Sequence, residues 1–259
     1  MNAISLNSGI FNLARIVGPA AAGISIAKLG YAFCFYANAA SFIPVIVGLS
    51  LIRLPSRERN TKSIIKNLFS EIREGIVYAF KRNIILISLF LLLIVNILAL
   101  NFNVLIPVFV KDVLKRSAET YRNMLSVMGI GAILGSTILA ATSHKGVKDY
   151  YIFGGATLLG VSLILFSVQK SLIISFIFIM LSGFIMIIFL NFINTTIQIN
   201  LEPYIRGRVM SLYAFVFGGL TPIGSLYAGT VSEKFGASFA FPLSGLLVLV
   251  VALVIYFSW

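Results

Sequence analysis

GPAAAGISIAKLGYAFCFYAN, Gly18 to Asn38, is answered 206 residues later by GSLYAGTVSEKFGASFAFPLS, Gly224 to Ser244. Gly18 falls on Gly224, Ala22 on Ala228, Gly23 on Gly229, Lys28 on Lys234, Gly30 on Gly236, Phe33 on Phe239 and Phe35 on Phe241. Each copy reads as the junction of two apolar helices. Four further apolar spans lie between the copies, and their own counterparts at the same offset would precede Met1. The expectation is one complete half of a duplicated bundle together with the closing helices of the other half, its start missing.

Composition makes the bilayer the solvent for this chain. Hydrophobic residues make up 59% and charged ones 11%, and mean hydropathy is +1.02, far from the balance of soluble domains. A helix crosses a hydrocarbon core of about 30 Å with roughly 20 apolar residues. Seven runs free of charge and histidine reach that length: Leu29–Ile52, Asn83–Val110, Asn123–Ser143, Tyr150–Gln169, Ser171–Leu201, Val209–Ser232 and Phe235–Trp259. An eighth, Ala3–Ala27, is interrupted only by Arg15. The predicted fold class is an all-α polytopic membrane protein with eight transmembrane helices and both termini on one side.

A net charge of +12 would suggest nucleic acid in a soluble protein, but here the cations sit in the connections between spans. Twelve of them lie on one face: Arg53, Arg57, Arg59, Lys62, Lys66, Arg73, Lys81, Arg82, Lys145, Lys148, Arg206 and Arg208. The other face carries seven: Lys28, Lys111, Lys115, Arg116, Arg122, Lys170 and Lys234. The excess of Lys and Arg predicts that the first face, with both termini, is cytoplasmic. No basic leader with a small-residue cleavage site opens the sequence. A lone cysteine, Cys34, leaves no internal disulfide and reads as apolar filler.

The long connection, residues 53–82, separates residues 1–52 from residues 83–259. After a polar PSRERNTK stretch it turns amphipathic, with Ile65, Leu68, Phe69, Ile72, Ile76 and Phe80 at helical spacing among charges. Such a helix either lies in the cytoplasmic interface or is a solvated linker. The remaining connections are too short for an appended nucleotide-binding or catalytic module, and no phosphate-binding loop is present. The single His144 and eight acids, all in connections, assemble no catalytic or metal-ligating group, so the expectation is a protein that is no enzyme and needs no cofactor.

Polar groups within spans are the site candidates. Arg15 is the one charge near mid-span; it faces a partner or wet cavity, or snorkels to the surface. Gly18, Pro19 and Gly23 should kink that span near Val17. Asn191, Asn194, Thr195 and Gln198 recur at i, i+3, i+4 and i+7 and form one stripe. Asn96 and Asn103 stand seven apart, with Asn101 nearby. These amides line a central cavity or serve as hydrogen-bonding glue between helices. Dense glycines, Gly129, Gly131, Gly135, Gly154, Gly155, Gly160, Gly218, Gly219 and Gly224, mark packing seams or a hinge.

Five segments resemble the enterobactin-exporter and macrolide-efflux-like branch of the major facilitator superfamily. NSGIFNLARIVGPAAAG (Asn7–Gly23) resembles its fifth helix, and EIREGIVYAFKRN (Glu71–Asn83) the end of its central linker. LIPVFVKDVL (Leu105–Leu114), MGIGAILGS (Met128–Ser136) and PYIRGRVMSLY (Pro203–Tyr213) resemble the seventh helix's exit, the eighth helix and the loop from ten to eleven. The resemblance implies a major facilitator fold lacking the first four helices, with 1–52 as the last two helices of the N-terminal half, 53–82 as a cytoplasmic linker and 83–259 as the six-helix C-terminal half.

It also implies secondary-active efflux of small amphipathic, drug- or siderophore-like molecules by alternating access in a bacterial inner membrane. Asn12 and Arg15 then join the cavity; Gly18, Pro19 and Gly23 carry the antiporter motif; Arg206, Gly207 and Arg208 carry the cytoplasmic arginine motif. The partners implied are lipid, substrate, a coupling ion such as a proton, and the missing N-terminal helices or a complementing chain, with no nucleic acid. Arg122 after Tyr121, where the family has glycine, and the degenerate TSHKGVKDYY loop depart from the pattern. No acid lies in any span. The alternative reading is a non-transporting truncated remnant, or an assembly partner of another membrane chain.

Overall fold

The structure, a computed structural model, describes residues 25, 29, 32–51, 64–142 and 148–258. The chain divides between Ile64 and Ile65 into two compact units. In the first lies α1 (Ala32–Leu51), apolar and exposed along its length. Its Ser41 and Ser50 hydroxyls donate to the carbonyls of Asn38 and Ile46, 2.7 and 2.8 Å away. Satisfied in this way within their own helix, polar side chains can face hydrocarbon.

The rest is α2 (Ile64–Lys81), α3 (Asn83–Leu98), α4 (Phe102–Asp112), α5 (Ala118–Thr142), α6 (Tyr150–Ser167), α7 (Leu172–Ile199), α8 (Arg206–Ala214), a π-helical turn (Phe215–Gly219), α9 (Thr221–Phe235) and α10 (Ala237–Ser258). Among the described residues seven helical spans are long and apolar enough to cross a membrane, with α3–α4 and α8–α9 each counting as one. They coincide with the seven charge-free runs. The expected span Ala3–Ala27, with its kink near Val17, lies outside the described residues, as does the earlier copy's Gly30. Its counterpart Gly236 ends α9 at φ +79°, a backbone conformation that favours glycine.

Two helix pairs are drawn together at glycines. A β-carbon on Gly131 of α5 would lie 1.9 Å from the Met180 carbonyl oxygen of α7, and one on Gly183 of α7 would lie 2.2 Å from that of Met128. Likewise Gly160 of α6 and Gly245 of α10 face each other's carbonyls at 2.6 and 2.5 Å. Lipid tails are as apolar as leucine, so helices here are held by close dispersion contact and interhelical hydrogen bonds rather than by escape from water. Ser162 and Ser182 add such a bond, 2.7 Å long, between α6 and α7.

The core is closed by three fully buried rings. Phe109 of α4 packs 4.6 Å from Phe166 of α6 and edge-on 5.8 Å from Phe241 of α10, and the last two meet at 4.9 Å. These tilted and edge-to-face arrangements are the favoured ones for aromatic quadrupoles. They fix α4 against α6 and α10, and so hold the lower half of a broken span in place. The outward faces of α6, α7 and α10 keep Leu158, Ile173, Ile177, Val254 and Phe257 exposed, as a lipid-facing surface requires.

Candidate functional site: a junction of two interrupted helices

The run Asn83–Val110, continuous by composition, folds as two helices. α3 ends at Leu98, where the amides of Ala99 and Leu100 both reach the Val95 carbonyl. Asn101 then donates its Nδ2 back to the Ile97 carbonyl at 2.6 Å. A side chain thus supplies a donor that the backbone has withdrawn from the end of α3. Pro107, inside α4, cannot donate and presses on the turn before it.

The run starting at Val209 is interrupted in the same manner. Gly218-Gly219 precede Leu220-Thr221-Pro222, and Pro222 falls in the first turn of α9, where its fixed φ and missing N–H suit the start of a helix and not its continuation. The helix widens into the π turn Phe215–Gly219 and restarts as α9. Such turns are uncommon and frequently sit at functional sites.

The two breaks meet. Asn96 is 4% exposed and its Nδ2 donates to the Phe217 carbonyl in the π turn, 2.6 Å away. Thr221 reaches the same carbonyl with its hydroxyl at 3.4 Å. One turn on, a β-carbon at Gly224 would lie 2.9 Å from Asn101 Oδ1 and 3.1 Å from the Asn96 carbonyl oxygen. Only a residue without a side chain lets α9 approach the break that closely. Among the described residues Asn96 Oδ1 is buried and receives no hydrogen bond, and neither does the hydroxyl of Thr196, which is 0% exposed on α7. Unsatisfied buried polar atoms carry a desolvation penalty of about 1–3 kcal/mol each.

The polar stripe of α7 forms as its spacing predicts. Asn191, Asn194, Thr195 and Gln198 are all half-buried, with Asn191 Nδ2 donating to the Ile187 carbonyl at 2.8 Å. Gln198 Nε2 donates to Asn194 Oδ1 at 2.6 Å. Asn103 departs from its expected place beside Asn96. The break shifts the register, leaving Asn103 exposed on α4 while Asn96 is buried on α3. Asn12, Arg15, Gly18, Pro19 and Gly23 lie outside the described residues.

At the start of α8 the arginine motif takes different places. Arg206 and Gly207 are exposed, and a β-carbon on Gly207 would meet no neighbouring element within 4 Å. Arg208 turns to α2, pairing with Glu71 at 3.7 Å and with Glu74 at shorter range. Gly75 makes room for it, since a β-carbon there would meet the Arg208 carbonyl oxygen at 3.2 Å. Beside this contact Arg82 pairs with Glu202 at 3.4 Å and lies over the Tyr78 ring at 5.9 Å. Among the described residues no group of three or more His, Cys, Asp and Glu is placed to hold a metal.

Sequence reading missed Asn101's return bond, Thr196, and the two acids that receive Arg208. The Gly-Gly-Leu-Thr-Pro sequence was the available signal for the π turn. Nothing local announces Thr196, whose burial depends on which helix lies across from it.

The whole chain, residues 1–259, matches the model of the family described as transmembrane secretion effector, of the major facilitator (MFS) type. It is 26% identical over 271 residues to the staphyloferrin A transporter of Staphylococcus aureus (strain NCTC 8325 / PS 47), an alignment covering 98% of this chain and 63% of that protein. It is 24% identical over 242 residues to the multidrug efflux pump Tap of Mycolicibacterium fortuitum, covering 91% of this chain and 58% of the pump. The chain therefore spans about three fifths of the length of these relatives. No solved structure matches it. Seven membrane-length helical spans among the described residues, two of them interrupted, and a family match along its full length make this chain a multi-pass membrane protein belonging to the major facilitator transmembrane secretion effector family.

Proposed function

We propose that this chain exports small amphipathic molecules across a bacterial inner membrane by alternating access, with both termini cytoplasmic and a proton as coupling ion. The observation that carries the reading is the junction at Asn96. Two spans interrupted side by side, tied by one amide whose buried oxygen, Asn96 Oδ1, has no partner among the described residues, form an element able to bend where a rigid bundle cannot. The polar stripe Asn191, Asn194, Thr195 and Gln198 supplies donors and acceptors for the substrate's polar end, joined by Asn96, Asn12 and Arg15. Glycine and proline at positions 18, 19 and 23, with Arg206, Gly207 and Arg208, carry the gating. In this reading residues 1–52 and 83–259 are the parts that rock against each other, and residues 53–82 are the cytoplasmic linker. The named relatives, one a siderophore transporter and one a drug pump, support a cargo of that size and character.

Export of a fluorescent amphiphile from cells tests it. At equal membrane levels Asn96→Ala and Asn194→Ala should each slow efflux severalfold, and Arg15→Ala should do the same. Unchanged efflux in all three refutes the site.

A second reading follows from the length comparison: the chain works only with further helices supplied by its own continuation or by a complementing chain. Efflux that appears only when such helices are co-expressed favours it over transport by this chain alone.

A further inference from the structure

A cleft opens beside α2, where basic side chains meet the α7–α8 connection. About 500 Å³ in volume, it is lined by Ser70, Arg73, Glu74, Val77, Tyr78 and Lys81 of α2 and by Tyr204 and Ile205 of the α7–α8 connection; the one carboxylate in the wall, Glu74, is held by Arg208. Its height in the bilayer is set by the chain itself. α2 ends at Lys81 and the α3 span starts at Asn83, while the Tyr204 side of the cleft immediately precedes the α8 span at Arg206. Both walls therefore sit where apolar spans begin, at headgroup level.

The charge balance in the cleft is uneven. The three acids nearby are engaged, Glu71 and Glu74 by Arg208 and Glu202 by Arg82. Among the described residues no ion pair engages Arg73 or Lys81. These two stand with Val77 at i, i+4 and i+8, on one stripe of α2. The adjoining stripe, Ile72, Ile76 and Phe80, is apolar and yet exposed, 65% so at Phe80. A cationic stripe beside an exposed apolar one is the pattern of a helix that meets phosphate with one edge and acyl chain with the other. Tyr204, 69% exposed, adds the aromatic border usual at this depth.

We infer that this cleft binds the phosphodiester of an anionic phospholipid, with Arg73 and Lys81 on the phosphate and Ile72, Ile76 and Phe80 against the acyl chains. A lipid, rather than a soluble phosphate, is favoured by the exposed apolar stripe, which a small anion would leave in water. The inference does not depend on the direction of transport or on the substrate.

Native mass spectrometry of the full chain released from nanodiscs tests it, comparing phosphatidylglycerol with phosphatidylcholine. Wild type should retain phosphatidylglycerol and not phosphatidylcholine. Arg73→Gln with Lys81→Gln should weaken that retention by roughly thirtyfold, the combined share of two surface cations. The pair Lys170→Gln and Lys234→Gln, exposed elsewhere, should leave it unchanged. Phe80→Ser should reduce retention without altering charge. Equal retention of both lipids, a loss below twofold in the Arg73 and Lys81 variant, or an equal loss in the control pair overturns the inference. So does displacement of the lipid by millimolar inorganic phosphate, which would identify a site for soluble phosphate.

Discussion

Replacing Gly183 by alanine places one methyl group into the tightest seam of the bundle. The added carbon would lie 2.2 Å from the Met128 carbonyl oxygen, 2.9 Å from Met128 Cγ and 3.0 Å from the Met128 carbonyl carbon. The Met128 side chain can rotate away, but its carbonyl belongs to the backbone of α5 and cannot. Reaching an ordinary separation requires α5 and α7 to part locally by about 1 Å, and a gap of that size forfeits a quarter to a half of each dispersion contact along the seam. Overpacking of this kind destabilises by about 1–3 kcal/mol, and immobile backbone on both sides places Gly183→Ala at the upper end. A melting temperature lower by roughly 4–12 °C follows for a domain of this size. Gly129→Ala provides the internal comparison. It is on the same α5, with nothing within 4 Å of the added carbon, and should match or slightly exceed wild type because alanine is the better helix former. Thermal unfolding of detergent-solubilised protein measures both. A Gly183→Ala protein as stable as wild type, or a Gly129→Ala protein equally destabilised, refutes the claim that backbone proximity holds α5 to α7.

Other perturbations separate stability from movement. Asn96→Leu removes the 2.6 Å bond to Phe217 together with the unpartnered Oδ1; stability should change by less than about 1 kcal/mol because the two effects oppose each other, while efflux drops severalfold. Pro222→Ala supplies a backbone donor and lifts the fixed φ that restarts the helix as α9, so hydrogen exchange over 215–222 should slow and efflux should fall with it. Arg208→Ala frees Glu71 and Glu74; exchange across α2 should quicken while the melting temperature barely moves, since pairs this exposed contribute about 0–1 kcal/mol. High salt should reproduce part of that quickening in wild type and none in the variant.

The positions of the seven described spans were legible because each needs only length and apolarity, and α2 because its apolar residues keep a helical period; the breaks that split two of the spans were not. Asn191, Asn194, Thr195 and Gln198 stayed on one face because α7 is unbroken. Asn96 and Asn103 did not, and the reason is local: the amides of Ala99 and Leu100 both turn to the Val95 carbonyl and Asn101 caps that of Ile97 with its side chain, so a register counted across the break fails. The pairing of the two breaks was not legible, since Asn96 and Phe217 are 121 residues apart and only packing brings them together. Glycines told the same story unevenly. Gly131, Gly160 and Gly183 sit on seams, whereas Gly129, Gly154 and Gly218 have nothing within 4 Å; which glycine faces a neighbour is a property of helix rotation, not of glycine density.

Transport itself is the central claim, and proteoliposomes containing only this chain test it most directly. With an imposed proton gradient, a fluorescent amphiphile should cross at a rate that collapses when the gradient is dissipated and falls severalfold in Asn194→Ala. Movement no faster than in protein-free liposomes, with the protein inserted and folded, would contradict the account.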